Sequence, residues 1–219
     1  MSSAADRRQK ILDDIAKAAG LAKRDPAEIQ LIAVSKGRPV EEIEALIEAG
    51  QRDFGENRVQ EALAKWPALL ARFPDIRLHE IGQLQSNKAA DGVKLFDTIH
   101  SLDRQSLLAA LVKEGEKSQR LPSVYIQVNI GEEEQKGGCS ISEIGPLVDA
   151  TRTSRLTLAG LMAIPPLGVE PAPYFALLAK LARRHDVTGL SIGMSGDFKV
   201  AVMLGATAVR VGTALFEDE

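Results

Sequence analysis

The stretch "IQLIAVSKGRPVEEIEALIEAG", residues 29–50, holds an apolar run, a break and an amphipathic run in direct succession. Leu31 to Ser35 read as a buried strand, apolar almost throughout, as a parallel strand covered on both faces should be. Gly37 and Pro39 end it. Pro39 also stands near a helix start, Glu41 and Glu42 favour the first turn, and Gly50 closes the helix, with Val40, Ile43, Leu46 and Ile47 on one face. A strand followed at once by a covering helix is a βα unit, and the rest of the chain repeats it.

Working outward, eight strand candidates appear: 29–36, 52–57, 77–82, 98–103, 123–130, 158–165, 189–195 and 208–216. Helical patterns separate them. Asp103 is placed to cap the run containing Leu107, Leu108, Leu111 and Val112, and Ser140 with Glu143 has capping-box spacing. Eight such units predict an α/β fold, a single (β/α)8 barrel of the TIM type. The sequence ends three residues after the eighth strand candidate, which leaves no room for a final helix. A helix over roughly residues 4–19 is therefore expected to complete the outer ring. An open doubly wound sheet would need a phosphate-binding GxGxxG after its first strand, and "SKGRPVEE" is not one. With no Pro/Gly/Ser-rich linker and no repeat longer than one βα unit, residues 1–219 read as one domain.

Composition excludes several classes of function. The 219 residues are 45% hydrophobic and 26% charged, ordinary for a soluble globular protein, with a formal charge of −3. No basic stripe suggests nucleic acid, and "RRQK" at 7–10 and Arg183-Arg184 read as solvated helix faces. Cys139 is alone, and His79, His100 and His185 lack metal-ligand spacing, so neither a disulfide framework nor a metal site is expected. "MSSAADRRQK" is no signal peptide, and no apolar run is long enough for a bilayer. A cytoplasmic protein is the expectation, without membrane partners.

In such a barrel the chemistry lies where strands end. Strand one ends in Lys36, strand two in "FGEN" with Asn57, strand seven in "GMS" with Ser195. Strand eight carries Arg210, followed by Gly212 and Thr213. The loops after strands seven and eight form the recurrent phosphate site of barrels. Gly193 and Gly212 would let backbone N–H groups approach oxygens there, and Ser195 and Thr213 would add hydroxyl donors. Apolar surroundings and a nearby Arg210 would disfavour the ammonium form of Lys36 and free its amine as a nucleophile. A phosphate site opposite an activated amine describes a phosphorylated aldehyde held as an imine, and pyridoxal 5′-phosphate is the obvious candidate. Strand parity puts Ala208, Arg210 and Gly212 on one face and Val209 and Val211 on the other, so Arg210 should point inward. A guanidinium only donates. Against the pyridine nitrogen it would keep that nitrogen unprotonated, whereas enzymes needing a strong electron sink place a carboxylate there.

The blocks "AVSKGRPVEEIEALIEAGQRDFGENRVQEA", "IGQLQSNK", "QVNIGEEEQKGG", "GLMAI", "LSIGMSGDFKVAV" and "VRVGTALF" together resemble the pyridoxal phosphate homeostasis protein family, in the family's order and through nearly the whole chain. The resemblance implies a barrel similar to the N-terminal domain of alanine racemase. It implies bound pyridoxal 5′-phosphate, a part in vitamin B6 balance and no established catalytic activity, so no catalytic residue is assigned; pyridoxal-dependent apo-enzymes are the candidate recipients. It assigns Lys36 to the imine, Arg210 to the pyridine nitrogen, Ser195, Gly212 and Thr213 to the phosphate, and Asn57 to the neighbourhood of the ring hydroxyl. Glu80 and Gln83 depart from the family's usual residues, which bears on local loop contacts. Lys88 and Lys136 read as surface or helix-start lysines, Cys139 as a thiol beside a loop and His79 as a satisfied core histidine. The rival functions are a racemase-like pyridoxal enzyme and an aldolase using Lys36 on a sugar phosphate. Racemisation needs acid–base groups on both faces of the substrate, and the only tyrosines, Tyr125 and Tyr174, are poorly placed for the second.

Overall fold

The computed structural model describes residues 2–217, and among these eight parallel strands close into a barrel in sequential order. The strands are β1 Gln30–Val34, β2 Asp53–Glu56, β3 Arg77–Glu80, β4 Thr98–Leu102, β5 Ser123–Gln127, β6 Thr157–Met162, β7 Leu190–Ser191 and β8 Ala208–Val211. The helices are α1 Ala4–Leu21, α2 Val40–Glu48, α3 Val59–Arg72, α4 Ala89–Leu95, α5 Gln105–Ser118, α6 Ile144–Thr153, α7 Ala172–Arg184, α8 Phe198–Met203 and α9 Thr213–Phe216. β1 closes the ring on β8, with Ile32 opposite Arg210. Among the described residues, no helix is long and apolar enough to cross a membrane.

Period-two alternation sorts the strand residues into two environments. Leu31, Ala33, Phe54, Leu78, Val124, Ile126, Leu161, Val209 and Val211 face outward into the apolar layer shared with the helices. Ile32, His79, His100, Tyr125, Ser191 and Arg210 are buried outside that apolar cluster, within the ring. α1 fills the expected slot, packing against α8, α9 and α2. Two residues of the supposedly solvated "RRQK" do this work. Arg7 Nε donates to the Leu215 carbonyl at 2.9 Å and Arg8 Nε to Gln51 Oε1 at 3.1 Å, and both side chains are half-buried. Arg183 and Arg184 are exposed, as expected.

Strand ends were overextended in the sequence reading. β1 stops at Val34, β7 is only Leu190–Ser191, and the run 208–216 divides into β8 and the short helix α9. A short apolar run such as "ALF" has no period of its own, and Leu215 and Phe216 are buried from a helix as fully as a strand would bury them. A final helical turn therefore does follow the eighth strand. Asp103 does not cap α5, because Arg104 takes the N-cap position and binds the Asp103 carboxylate at 2.6 Å. Ser140 and Glu143 do form the capping box, at the 3-10 turn that opens α6.

Candidate functional site

A cavity of about 370 Å³ opens at the C-terminal ends of the strands. Lys36, Asn57, Ser195, Arg210, Gly212 and Thr213 all line it. Sequence reading missed the rest of the wall: Val34, Arg38, Ile81, Ile164, Met194 and Gly196. The apolar members carry no chemical signature in sequence, but Arg38 stands two residues from Lys36 and was legible as a second cation.

Lys36 is not on β1 but in the turn beyond it, and it is exposed rather than enclosed in apolar surroundings. The turn itself is firmly tied. Buried Ser35 donates to Glu56 Oε1 at 2.7 Å, and its carbonyl accepts from Lys65 Nζ at 3.0 Å. The Gly37 N–H donates to Glu61 Oε1 at 2.6 Å. Glu56 is itself held by Trp66 Nε1 at 2.9 Å and by Lys65 at 2.8 Å. Among the described residues, no hydrogen bond or ion pair holds the Lys36 amine.

Arg210 is buried at the floor, inward as parity required. Nη1 donates to the Ser191 carbonyl at 2.7 Å and to Ser191 Oγ at 2.6 Å, and Nη2 donates to the Ala163 carbonyl at 3.2 Å. Nε makes no bond among the described residues. Burial draws the guanidinium pKa down to about 10, with Asp197 and Tyr125 pulling the other way, so it remains a cation at neutral pH. A buried cationic donor with an unspent N–H calls for an acceptor from the cavity side.

The loops after β7 and β8 meet at the same wall. Ser195 Oγ accepts the Gly212 N–H at 3.2 Å, while the N–H groups of Ser195, Gly196 and Thr213 have no protein acceptor among the described residues. Gly193 does not line the cavity. Its φ is +93°, and a Cβ there would lie 2.6 Å from Ala201 Cβ and 2.9 Å from Phe198 Cα, so it sets the close packing of the loop on α8. Gly82 has a similar duty, since a Cβ would stand 2.1 Å from the carbonyl oxygen of Asn57.

Glu80 proves to be wholly buried, with Oε1 accepting the Gly82 N–H at 3.2 Å. Burial pushes its carboxyl up to about 8; neighbouring Glu56 adds to this and the Gly82 bond opposes it. Gln83 reaches across to Gln127 Oε1 at 2.8 Å. Gln83 and Gln127 border a second cavity of about 310 Å³ that shares Asn57, Ile81 and Ile164 with the first and is also lined by Lys136. The Lys136 amine is bound to Glu133 at 2.6 Å and the Pro165 carbonyl at 3.1 Å. Lys88 ends a 3-10 turn and borders neither of these cavities. Cys139 is buried, and burial with Glu143 and Asp103 pushes its thiol up to about 12. His79 is a satisfied core histidine, 3.1 Å from Asp53 Oδ1 and 3.0 Å from His100 Nε2. Among the described residues no cluster could hold a metal ion. Tyr125 is buried in the ring, stacked on His100 with ring centroids 4.5 Å apart; Tyr174 lies on α7, and neither lines the first cavity.

Residues 9–219 match the family model described as alanine racemase, N-terminal domain. The chain is 40% identical over 222 residues to the pyridoxal phosphate homeostasis protein of Pseudomonas aeruginosa, covering 99% of this chain and 96% of the relative. It is also 40% identical to PipY of Synechococcus elongatus PCC7942, covering 92% of this chain and 99% of that one. PipY has been solved without PLP, at a TM-score of 0.81, and with PLP bound, at 0.79.

Proposed function

Because the chain belongs to the pyridoxal phosphate homeostasis protein family, we propose that it binds pyridoxal 5′-phosphate at the barrel mouth and serves the cell's balance of that cofactor without turning over a substrate. The observation that carries this reading is Arg210, a buried cation with Nε–H unspent beneath a cavity that has an unpartnered amine at its rim. When bound, the cofactor supplies an aldehyde carbon to a primary amine and an aromatic ring that can withdraw electrons. Lys36 holds the aldehyde end covalently through its amine. Ser195, Gly212 and Thr213 hold the phosphate with hydroxyl and backbone donors, and Asn57 stands beside the ring hydroxyl. Arg210 offers a hydrogen to the ring nitrogen and so denies that nitrogen a proton of its own.

The same geometry argues against turnover. Proton exchange on both faces of a substrate needs a second acid–base group opposite Lys36. The two tyrosines are elsewhere, and the nearby Arg38 guanidinium is tied to Glu42 at 3.6 Å and packed over the Phe216 ring. The barrel acts as one cofactor-holding unit in the cytoplasm, and pyridoxal-dependent apo-enzymes receive what it holds.

The test is direct. Purified protein incubated with pyridoxal 5′-phosphate should turn yellow, bleach on borohydride reduction, and carry the added mass on Lys36. An adduct confined to Lys136, or a colourless protein, would overturn the assignment. Faster transfer of bound cofactor to an apo-enzyme than release into solvent would support delivery; equal rates would reduce the role to storage.

A further inference from the structure

Polar side chains on five strands meet inside the barrel and form one line from its base to the cavity floor. At the base, Asp53 on β2 accepts from Arg77 Nε at 2.7 Å, Arg77 Nη2 at 2.6 Å and Gln30 Nε2 at 2.7 Å. His79 on β3 places Nε2 3.1 Å from Asp53 Oδ1 and Nδ1 3.0 Å from Nε2 of His100 on β4. His100 Nδ1 is 2.9 Å from Oγ of Ser191 on β7, and that oxygen accepts Arg210 Nη1 at 2.6 Å. His79, His100 and Ser191 are all buried.

One arrangement of hydrogens satisfies every atom of this line. Arg210 only donates, so Ser191 Oγ accepts from it. Burial raises the Asp53 pKa, but bonds from His79 and Arg77 outweigh this and bring it to about 2, so the carboxylate is ionised and only accepts. His79 Nε2 therefore carries a hydrogen. Burial, with the charge of Arg210, holds the His100 pKa well below the usual histidine range, so that ring is neutral and has one N–H. Were that hydrogen on Nδ1, Ser191 Oγ would receive two hydrogens and its own hydroxyl would face no acceptor among the described residues. With it on Nε2, Ser191 donates to His100, His100 donates to His79, and His79 donates to Asp53. Every hydrogen points away from Arg210 and towards the carboxylate.

We propose that Asp53, His79, His100 and Ser191 are positioning residues that fix the Arg210 guanidinium at the cavity floor and leave its Nε–H for the ring nitrogen of the cofactor. The proposal rests on the reading of this cavity as a pyridoxal 5′-phosphate site. Among the described residues Arg210 has no carboxylate within hydrogen-bond reach, since all three of its bonds go to neutral oxygens. The line supplies it with an acceptor polarised by Asp53 from three side chains away, because aligned hydrogen bonds strengthen one another in a dry interior. Tyr125 stacks on His100 at 13° between ring planes and keeps that imidazole from turning. The line is not a proton wire, since Arg210 would have to surrender a proton at its head.

Nitrogen NMR of the cofactor-free protein, labelled at histidine, tests the direction. His79 and His100 should both be neutral rings protonated at Nε2, and a hydrogen on His100 Nδ1 would overturn the line. Cofactor titration tests the positioning. S191A and H100F should each weaken binding about tenfold, as loss of one hydrogen bond serving a charged group predicts, and shift the absorption of the bound cofactor. H100Q, which restores one acceptor and one donor, should recover part of both. A merely structural role would lower the melting temperature of H100F and H100Q alike and leave the absorption band where it was. Wild-type affinity and an unmoved band in S191A and H100F would overturn the proposal; should H100F not fold, S191A and the NMR decide it. Failure of the wild-type protein to take up any cofactor would instead overturn the functional reading, and the two failures are distinguishable.

Discussion

Glu80→Gln should stabilise this protein at neutral and alkaline pH, although it replaces a fully buried side chain. Glu80 is a carboxyl whose folded pKa, about 8, lies far above the 4.5 of an exposed glutamate. Between those values the native state keeps a proton that the unfolded chain releases, so rising pH favours unfolding. The cost grows by about 1.36 kcal/mol per pH unit above the unfolded pKa. It reaches on the order of 3 kcal/mol at pH 7 and levels off near pH 8. Glutamine has the same shape and no charge to release. Its carbonyl can keep the Gly82 N–H, and its amide faces Glu56, paired with Glu80 in the β2–β3 register. Glu56 Oε2 is buried without a hydrogen-bond partner among the described residues, so the new amide donor has one acceptor waiting. An amide hydrogen left unpaired would return about 1–3 kcal/mol of the roughly 4 kcal/mol cost at pH 7.5, which makes a net gain of about 1–3 kcal/mol there the expected result. Urea unfolding of both proteins from pH 5 to pH 8.5 measures it, and the difference between them cancels the titration of distant groups. The variant should be the less stable protein near pH 5, and its stability relative to wild type should rise with pH and cross to a gain before pH 7.5. A variant destabilised by the same amount at every pH would refute the reasoning, because Glu80 would then be an ordinary ionised carboxylate.

Lys36→Ala should abolish the borohydride-stable adduct yet retain cofactor binding weakened by at least about tenfold, since the phosphate loops do not depend on the amine; equilibrium dialysis and intact mass measure both. Arg210→Glu should let the ring nitrogen hold a proton and so change the absorption of the bound cofactor and its reactivity towards free amino acids; an unchanged spectrum and affinity would sink the contact. Incubation with alanine in heavy water should give negligible α-proton exchange by NMR even at saturating cofactor, whereas exchange at about 1 per second or faster, lost in Lys36→Ala, would make this an enzyme.

The barrel was legible because its evidence is periodic and repeated. Eight apolar runs alternating with amphipathic ones survive an error at any single boundary, and strand parity alone turned Arg210 inward. Boundaries failed where the period is too short to read, as in "TALF", which is α9 rather than the end of β8. Asp103 failed as a cap because choosing between adjacent N-cap positions depends on contacts far away in sequence. Lys36 came out exposed because the strand stops two residues earlier than its apolar composition suggests. The interior polar line was not legible at all. His79 and His100 lie in separate strands without motif spacing, and only ring closure brings them within 3.0 Å of each other. Glu80 looked like a local departure, and nothing in "HEIG" announces that it is sealed from solvent.

The pairing of β1 with β8 has a consequence for how the molecule is made. Lys36 follows the first strand and Arg210 sits on the last, so the cavity straddles the seam where the ring closes. Contacts this distant in sequence are the slowest to form, because the loop they close spans nearly all of the folding chain. A chain still emerging from the ribosome can display Lys36 for most of its synthesis without any floor beneath it. If the proposed function holds, capture of the cofactor is a late event that reports completion of the barrel. Once captured, a ligand bridging the first and last strands favours the closed ring by mass action. Next to the seam lies β7, the shortest strand among the described residues, with Ser191 opposite Ala208 of β8. Hydrogen exchange there should slow most when cofactor is added, the ligand then acting as a fastener for the barrel proposed to hold it.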